Sequence, residues 1–235
     1  MKALPILGAL VLLVACEPVP TGTTAPQKER AAAPASATSR VSARQAQSNF
    51  ASVVRRVEPI AERECKARAP SLNCDFKIVV DNRPGQPPNA FQTLERSGRP
   101  VIGFTAALLA DARNTDELAF VMGHETAHHI KMHLKRQRES ATGGAILGGI
   151  LAAGLGVSTD LGTRIGGSIG ARAYSKNNEL EADALGTVIA KKAGYDPVRG
   201  AQFFARIPDP GDRFLGTHPP NASRIETVRR VNAGL

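Results

Sequence analysis

Residues 124–128 read His-Glu-Thr-Ala-His, an H-E-x-x-H pattern. Four residues apart on a helix, the imidazoles of His124 and His128 share one face and can grip a single Zn²⁺ ion. Glu125 stands beside that point, placed to act as general base on water activated by the metal. So short a pattern also arises by chance. Here it falls in mid-helix, among apolar Leu118, Ala119, Val121 and Met122, with small Gly123 and Ala127 beside it. A buried helix does not keep His and Glu without partners, because an unpaired polar group costs free energy away from water.

Two histidines need a third ligand. Lys131 and Leu134 occupy the places where a metzincin carries Gly and a further His, which excludes that class. Residues 179–183, Glu-Leu-Glu-Ala-Asp, offer acids instead. Glu179 and Asp183 are four apart and share a helical face. The longer Glu179 is expected to reach the metal, and the shorter Asp183 to accept a hydrogen bond from a ligating histidine. Glu181 projects roughly 200° from Glu179 and is expected in solvent. The set His124, His128 and Glu179, with Glu125 as catalytic base, is that of a gluzincin binding one Zn²⁺ per chain. His129 and His133 lie off the metal face and are expected to be structural or exposed. Lys131, Lys135, Arg136 and Arg138 are expected to complement the helix's negative end.

The elements around these residues are partly legible. Apolar positions from Phe50 to Cys65 fall on one face of a helix over about 48–68, with Pro59 inside it. Strands are expected at Phe76–Asp81, Ala90–Leu94 and Pro100–Phe104, with three prolines in the turn at 82–89. The stretch Arg99–Phe104 is expected to be an edge strand along which an extended peptide substrate adds. Asn114 offers an N-cap with Glu117 as capping-box partner, and that helix is expected to run to about Gln137. Residues 141–159 carry no charge and many glycines, and 143–173 read as a tight helical hairpin or a flexible loop with a possible lean toward a membrane. Further helices are expected at Asn177–Ala193, after Asp196-Pro197, and at Asn221–Val231. The fold class is α+β, mainly helical, with one small sheet and an active-site helix.

Composition limits the partners. The chain is basic, with a formal charge of +9, which invites a nucleic-acid reading. Aromatics are 4% with no Trp, leaving few stacking platforms for bases. The first residues also read as an export signal: Lys2, then an apolar run from Leu4 to Ala15 too short to span a bilayer. Nucleic acid is therefore set aside in favour of anionic envelope surfaces. Leu13-Val14-Ala15-Cys16 resembles a bacterial lipobox, so Cys16 is expected to carry lipid once the signal peptide 1–15 is removed. Glu17 in place of Asp leans toward the outer membrane. Residues 16–45, rich in Pro, Thr, Ala and Ser, read as the lipidated Cys and a disordered tether, and 46–235 as the catalytic domain. In an oxidising periplasm, Cys65 and Cys74 are expected to form a disulfide.

Together these residues resemble peptidase family M48, the zinc peptidases of the HtpX and CAAX-prenyl-protease type, and in particular its periplasmic lipoprotein branch. The resemblance covers about residues 48–233. It rests on His124-Glu125-x-x-His128 with His133, on Tyr174-Ser175…Glu179-x-Glu181-Ala182-Asp183, on Thr217-His218-Pro219-Pro220 with Arg224-Ile225, and on Asn89-Ala90-Phe91. It implies a zincin fold and endopeptidase action on membrane or misassembled envelope proteins. His218 is then a candidate oxyanion donor or fourth zinc ligand, and Arg224 a residue holding its loop against the site. The strong membrane spans of the integral members are missing here. The rival reading is an envelope chaperone or assembly factor that uses the same groove only for binding.

Overall fold

The first helix begins where the sequence offers a cap. Ser42 Oγ accepts from the Gln45 amide at 3.2 Å and opens α1, Ala43–Arg68, which continues through Pro59. This computed structural model describes residues 42–206 and 220–235, apart from the side chains at 144, 166 and 168–175. Cys16 and His218 lie outside the described residues. The α1 face carrying Phe50, Val53, Val57, Ala61 and Cys65 is buried. Cys65 is bonded to Cys74, with Cα atoms 5.7 Å apart, joining the end of α1 to the approach to the sheet.

Three strands follow: β1 Lys77–Asp81, β2 Ala90–Leu94 and β3 Pro100–Thr105. Their order is β1-β3-β2, with β1 parallel and β2 antiparallel to β3. This corrects the expectation of a free edge at Arg99–Phe104: β3 is the central strand, and its backbone is paired on both sides. The physical reason is visible in its composition. Val101, Ile102 and Phe104 are buried without the alternation of a half-exposed strand, and Gly103 makes room for the Phe91 ring, which a Cβ would strike. The exposed edge nearer the helix that carries residues 124–128 is β2.

Thr105 Oγ1 caps the short α2, Ala106–Asp111. Asn114 Oδ1 then accepts from the Glu117 amide at 3.0 Å and opens α3, Thr115–Ile130. The reciprocal half of the capping box is displaced by one residue, since Glu117 takes the Arg113 amide at 2.9 Å and pairs with Arg206 at 2.8 Å. Nearly all of α3 is buried in the core.

The helix does not run on to Gln137. Lys131 ends it, Met132 adopts the left-handed conformation at φ 55° and ψ 35°, and α4 starts anew at His133 and ends at Gly154. The basic stretch from Lys131 to Arg138 therefore straddles a helix break and does not form a helix end. After a short turn, α5 runs from Thr159 to Lys192, well ahead of the expected start near Asn177. The uncharged stretch is thus a helical hairpin. At Gly162 a Cβ would collide with Ala152 and the Gly148 carbonyl. No helix among the described residues is long and apolar enough to cross a membrane.

Helix α5 crosses α3 at a pair of glycines. A Cβ on Gly123 would sit 2.8 Å from the Gly186 carbonyl oxygen, and one on Gly186 would sit 2.8 Å from the His124 nitrogen. Asp196 caps α6, Pro197–Gly200, with Pro197 in its first turn. A 3₁₀ turn covers Ala201–Ala205, and α7 spans Asn221–Ala233. Phe120, Ala201, Phe204 and Val228 form a small second cluster where α3, the 3₁₀ turn and α7 meet.

Candidate metal centre

Helix α3 delivers His124, Glu125 and His128; α5 delivers Glu179 and Asp183; α7 delivers Arg224. The close glycine crossing sets the first two within reach, because it brings the α5 backbone against the backbone of His124 itself. His124 Nε2 and His128 Nε2 are 2.9 Å apart. Glu179 Oε2 lies 3.5 Å from His124 Nε2, and Oε1 lies 3.4 Å from His128 Nε2. All three ligand atoms fall within 4.8 Å of one another. Two imidazole nitrogens and one carboxylate, largely buried and facing an open cleft, fit a divalent ion that keeps one position for substrate or water.

The surroundings orient these donors. Asp183 is fully buried and accepts from His124 Nδ1 at 2.9 Å, which leaves His124 Nε2 to point inward. Arg224 donates to Asp183 through Nε at 2.8 Å and Nη2 at 2.7 Å, and its Nη2 is 3.4 Å from Glu179 Oε2. Its guanidinium lies 3.6 Å above the Phe204 ring, which holds the fork in plane. Arg224 thus acts directly on two acids of the site.

Burial also sets the protonation states. Burial pulls the His124 imidazolium down, but the hydrogen bonds to Asp183 and Glu179 outweigh it and push the group up to about 10. Burial pushes Glu125 up to about 7, with the charge of Glu179 adding to the effect. Burial, reinforced by His124, pushes His128 down to about 2. A dication at this point reverses the field, favouring neutral imidazoles and an ionised Glu125.

The site opens into a cleft of about 420 Å³, whose walls include Pro88, Asn89 and Ala90 ahead of and at the start of β2, and Phe120, Phe203 and Phe204. Glu125 lines it. The structure brings together His124, Glu125, His128, Glu179, Asp183 and Arg224. His129 stands apart, with Nε2 2.8 Å from the Asn73 carbonyl oxygen and its ring edge-on to Phe76.

Two residues stand closer to the metal centre than their helical spacing implies. His133 takes the structural alternative, not the exposed one, and does so against a ligand: its Nδ1 is 2.8 Å from His128 Nδ1, and it is buried. Glu181 is not free in solvent, for it pairs with Arg136 at 3.0 Å and lies 3.4 Å from His133 Nε2. The signal that would have found them is the helix break at Met132. No Gly, Asn or Pro marks that break in Lys131-Met132-His133.

A search of curated proteins finds no match to the chain. The model of Peptidase family M48, in contrast, matches residues 47–232, a span that takes in α3, α5, α7 and every side chain of the metal centre. The chain belongs to Peptidase family M48 and is a metallopeptidase.

Proposed function

We propose that this chain is a zinc-dependent endopeptidase of the bacterial cell envelope, acting on membrane or misassembled envelope proteins, with Glu125 as general base. One observation carries the reading: the donor atoms of His124, His128 and Glu179 converge within 4.8 Å, and Glu125 lines the same cleft. A carboxylate lining that cleft is placed to take a proton and to return it. Zinc, when bound by these three residues, supplies Lewis-acid polarisation of a carbonyl and makes water more acidic. Glu125 takes the proton of the attacking water as its oxygen bonds to the peptide carbon. The same carboxyl then gives the proton to the leaving amine as the C–N bond breaks. Asp183 and Arg224 hold His124 and Glu179 in place meanwhile. His218 is proposed as an oxyanion donor or regulatory ligand.

The substrate is proposed to lie extended along β2, the sheet edge that borders the cleft. Backbone pairing of this kind reads few side chains, which suits diverse protein substrates. Peptides N-methylated at alternate residues test it: one of the two phases should resist cleavage, and equal cleavage of both phases would count against strand pairing. The anchor is proposed to be a lipid on Cys16, holding the domain at the periplasmic face of the outer membrane. Cys16→Ser should release the protein into the soluble periplasmic fraction; retention in the membrane would sink that part. The central test is Glu125→Gln, which should keep its zinc and lose casein cleavage by at least about a hundredfold. Persisting cleavage would remove Glu125 from its role.

A further inference from the structure

We propose that His133 is a positioning residue for the metal ligand His128, clamped by Glu181 and Arg136, and that the left-handed backbone at Met132 brings it there. The inference rests on the assignment of His128 as a ligand and adds residues to which no role has been given.

In an unbroken helix, five residues advance about 500°, which leaves His133 about 140° around from His128 and facing elsewhere. The break changes that. Met132 is the one non-glycine residue with positive φ among the described residues, a conformation disfavoured by Cβ sterics and met mostly where surrounding structure enforces it. The new helix starts at His133, whose ring comes edge-on to that of His128 with centroids 4.9 Å apart.

His128 Nδ1 and His133 Nδ1 are 2.8 Å apart, so one of them donates and the other accepts. The far side of His133 settles which. Its Nε2 faces Glu181 Oε2 at 3.4 Å, and a carboxylate only accepts. His133 therefore carries its hydrogen on Nε2 and presents a lone pair on Nδ1. His128 donates from Nδ1 to that lone pair, so its Nε2 is left bare, turned toward Glu179 and His124. That tautomer is the one a metal needs.

Glu181 is itself fixed. Arg136 donates to both of its oxygens, Nη1 to Oε2 at 3.0 Å and Nη2 to Oε1 at 3.2 Å. The same guanidinium reaches Asn178 Oδ1 at 3.1 Å and the Lys131 carbonyl at 3.2 Å, closing over the broken end of α3. Each metal-binding histidine then has its own chain ending in an arginine. His124 is held by Asp183 and Arg224, and His128 by His133, Glu181 and Arg136.

The test uses the full-length protein with His133→Leu, His133→Gln and Glu181→Gln. Zinc affinity is read by chelator competition, ligand geometry by the visible spectrum of the cobalt(II)-loaded protein, and fold by the melting temperature in chelator. His133→Leu removes the acceptor and should weaken zinc binding about 10–100-fold with an altered cobalt spectrum. His133→Gln can still accept from His128 Nδ1 and should recover most of the affinity. Glu181→Gln, at a half-exposed position, should fold normally and lose affinity several-fold. Parental zinc affinity and cobalt spectrum in both His133→Leu and Glu181→Gln would overturn the proposal, as would losses no larger for Leu than for Gln. Unchanged zinc affinity in His128→Ala would instead remove His128 as a ligand, a separate failure.

Discussion

A methyl group at Gly186 should loosen the metal site without touching a ligand. A Cβ there would sit 2.8 Å from the His124 nitrogen and 3.0 Å from its Cα, both backbone atoms that cannot swing aside. Non-bonded heavy atoms sit comfortably at about 3.5–4.0 Å, so α5 must back away from α3 by roughly 0.5–1 Å. Glu179 and Asp183 ride on α5, whereas His124 and His128 ride on α3. Donor positions tolerate only about 0.2 Å before metal binding suffers. Overpacking costs about 1–3 kcal/mol, and replacing a helical Gly by Ala offsets about 1 kcal/mol of it. Net destabilisation of Gly186→Ala is then about 0–2 kcal/mol, or a melting shift of a few degrees at about 2–4 °C per kcal/mol. Zinc affinity, by contrast, should fall at least about tenfold, like the loss of an outer-shell partner. Chelator competition and thermal unfolding, run on the same samples, separate the two effects. Gly143→Ala on α4, where a Cβ meets nothing within 4 Å, is the control and should bind zinc normally with a slight gain in stability. A Gly186→Ala protein with parental zinc affinity would refute the claim that the glycine crossing sets the ligand spacing.

Asp183→Asn should lower zinc affinity about 10–100-fold, because the group that holds His124 and accepts twice from Arg224 loses its charge; equal affinity for parent and variant would contradict its role. Glu125 also makes stability depend on pH. Its folded-state pKa of about 7 is above the ordinary 4.5, so the folded state holds the proton longer, and stability is full below about pH 4.5 and declines as pH rises to 7. With chelator present, Glu125→Gln should match its parent near pH 4.5 in urea unfolding and exceed it by about 1–3 kcal/mol at pH 8; a constant gap across that range would rule this out. Reducing Cys65–Cys74, which closes a short loop of sequence separation 9, should cost about 2–3 kcal/mol, read as a lower urea midpoint with unchanged slope; an unchanged midpoint would show that the bond contributes nothing.

Much of the site was legible because it is written in helical periodicity. Four-residue spacing put His124 with His128 and Glu179 with Asp183 on shared faces, and the structure places each pair as that spacing requires. Caps were legible for the same local reason: Asn114 and Asp196 open α3 and α6 through side-chain oxygens that meet amides two or three residues on. The three strands also lie within a residue of where their apolar runs put them. Each of these features is decided by groups a few residues apart, so the sequence alone determined the ligand faces, the starts of α3 and α6 and the existence of a small sheet. It did not determine which strand is central, that Met132 breaks the helix, or that Gly123 meets Gly186. Those are choices among contacts between segments distant in the chain. The central place of β3 depends on β1 and β2 both pairing with it, and beyond the left-handed Met132 the side chains of His133 and Arg136 find partners in His128 on α3 and Glu181 on α5. Local propensity carries no term for such partners, so the second arm of the metal centre came into view only with the tertiary structure.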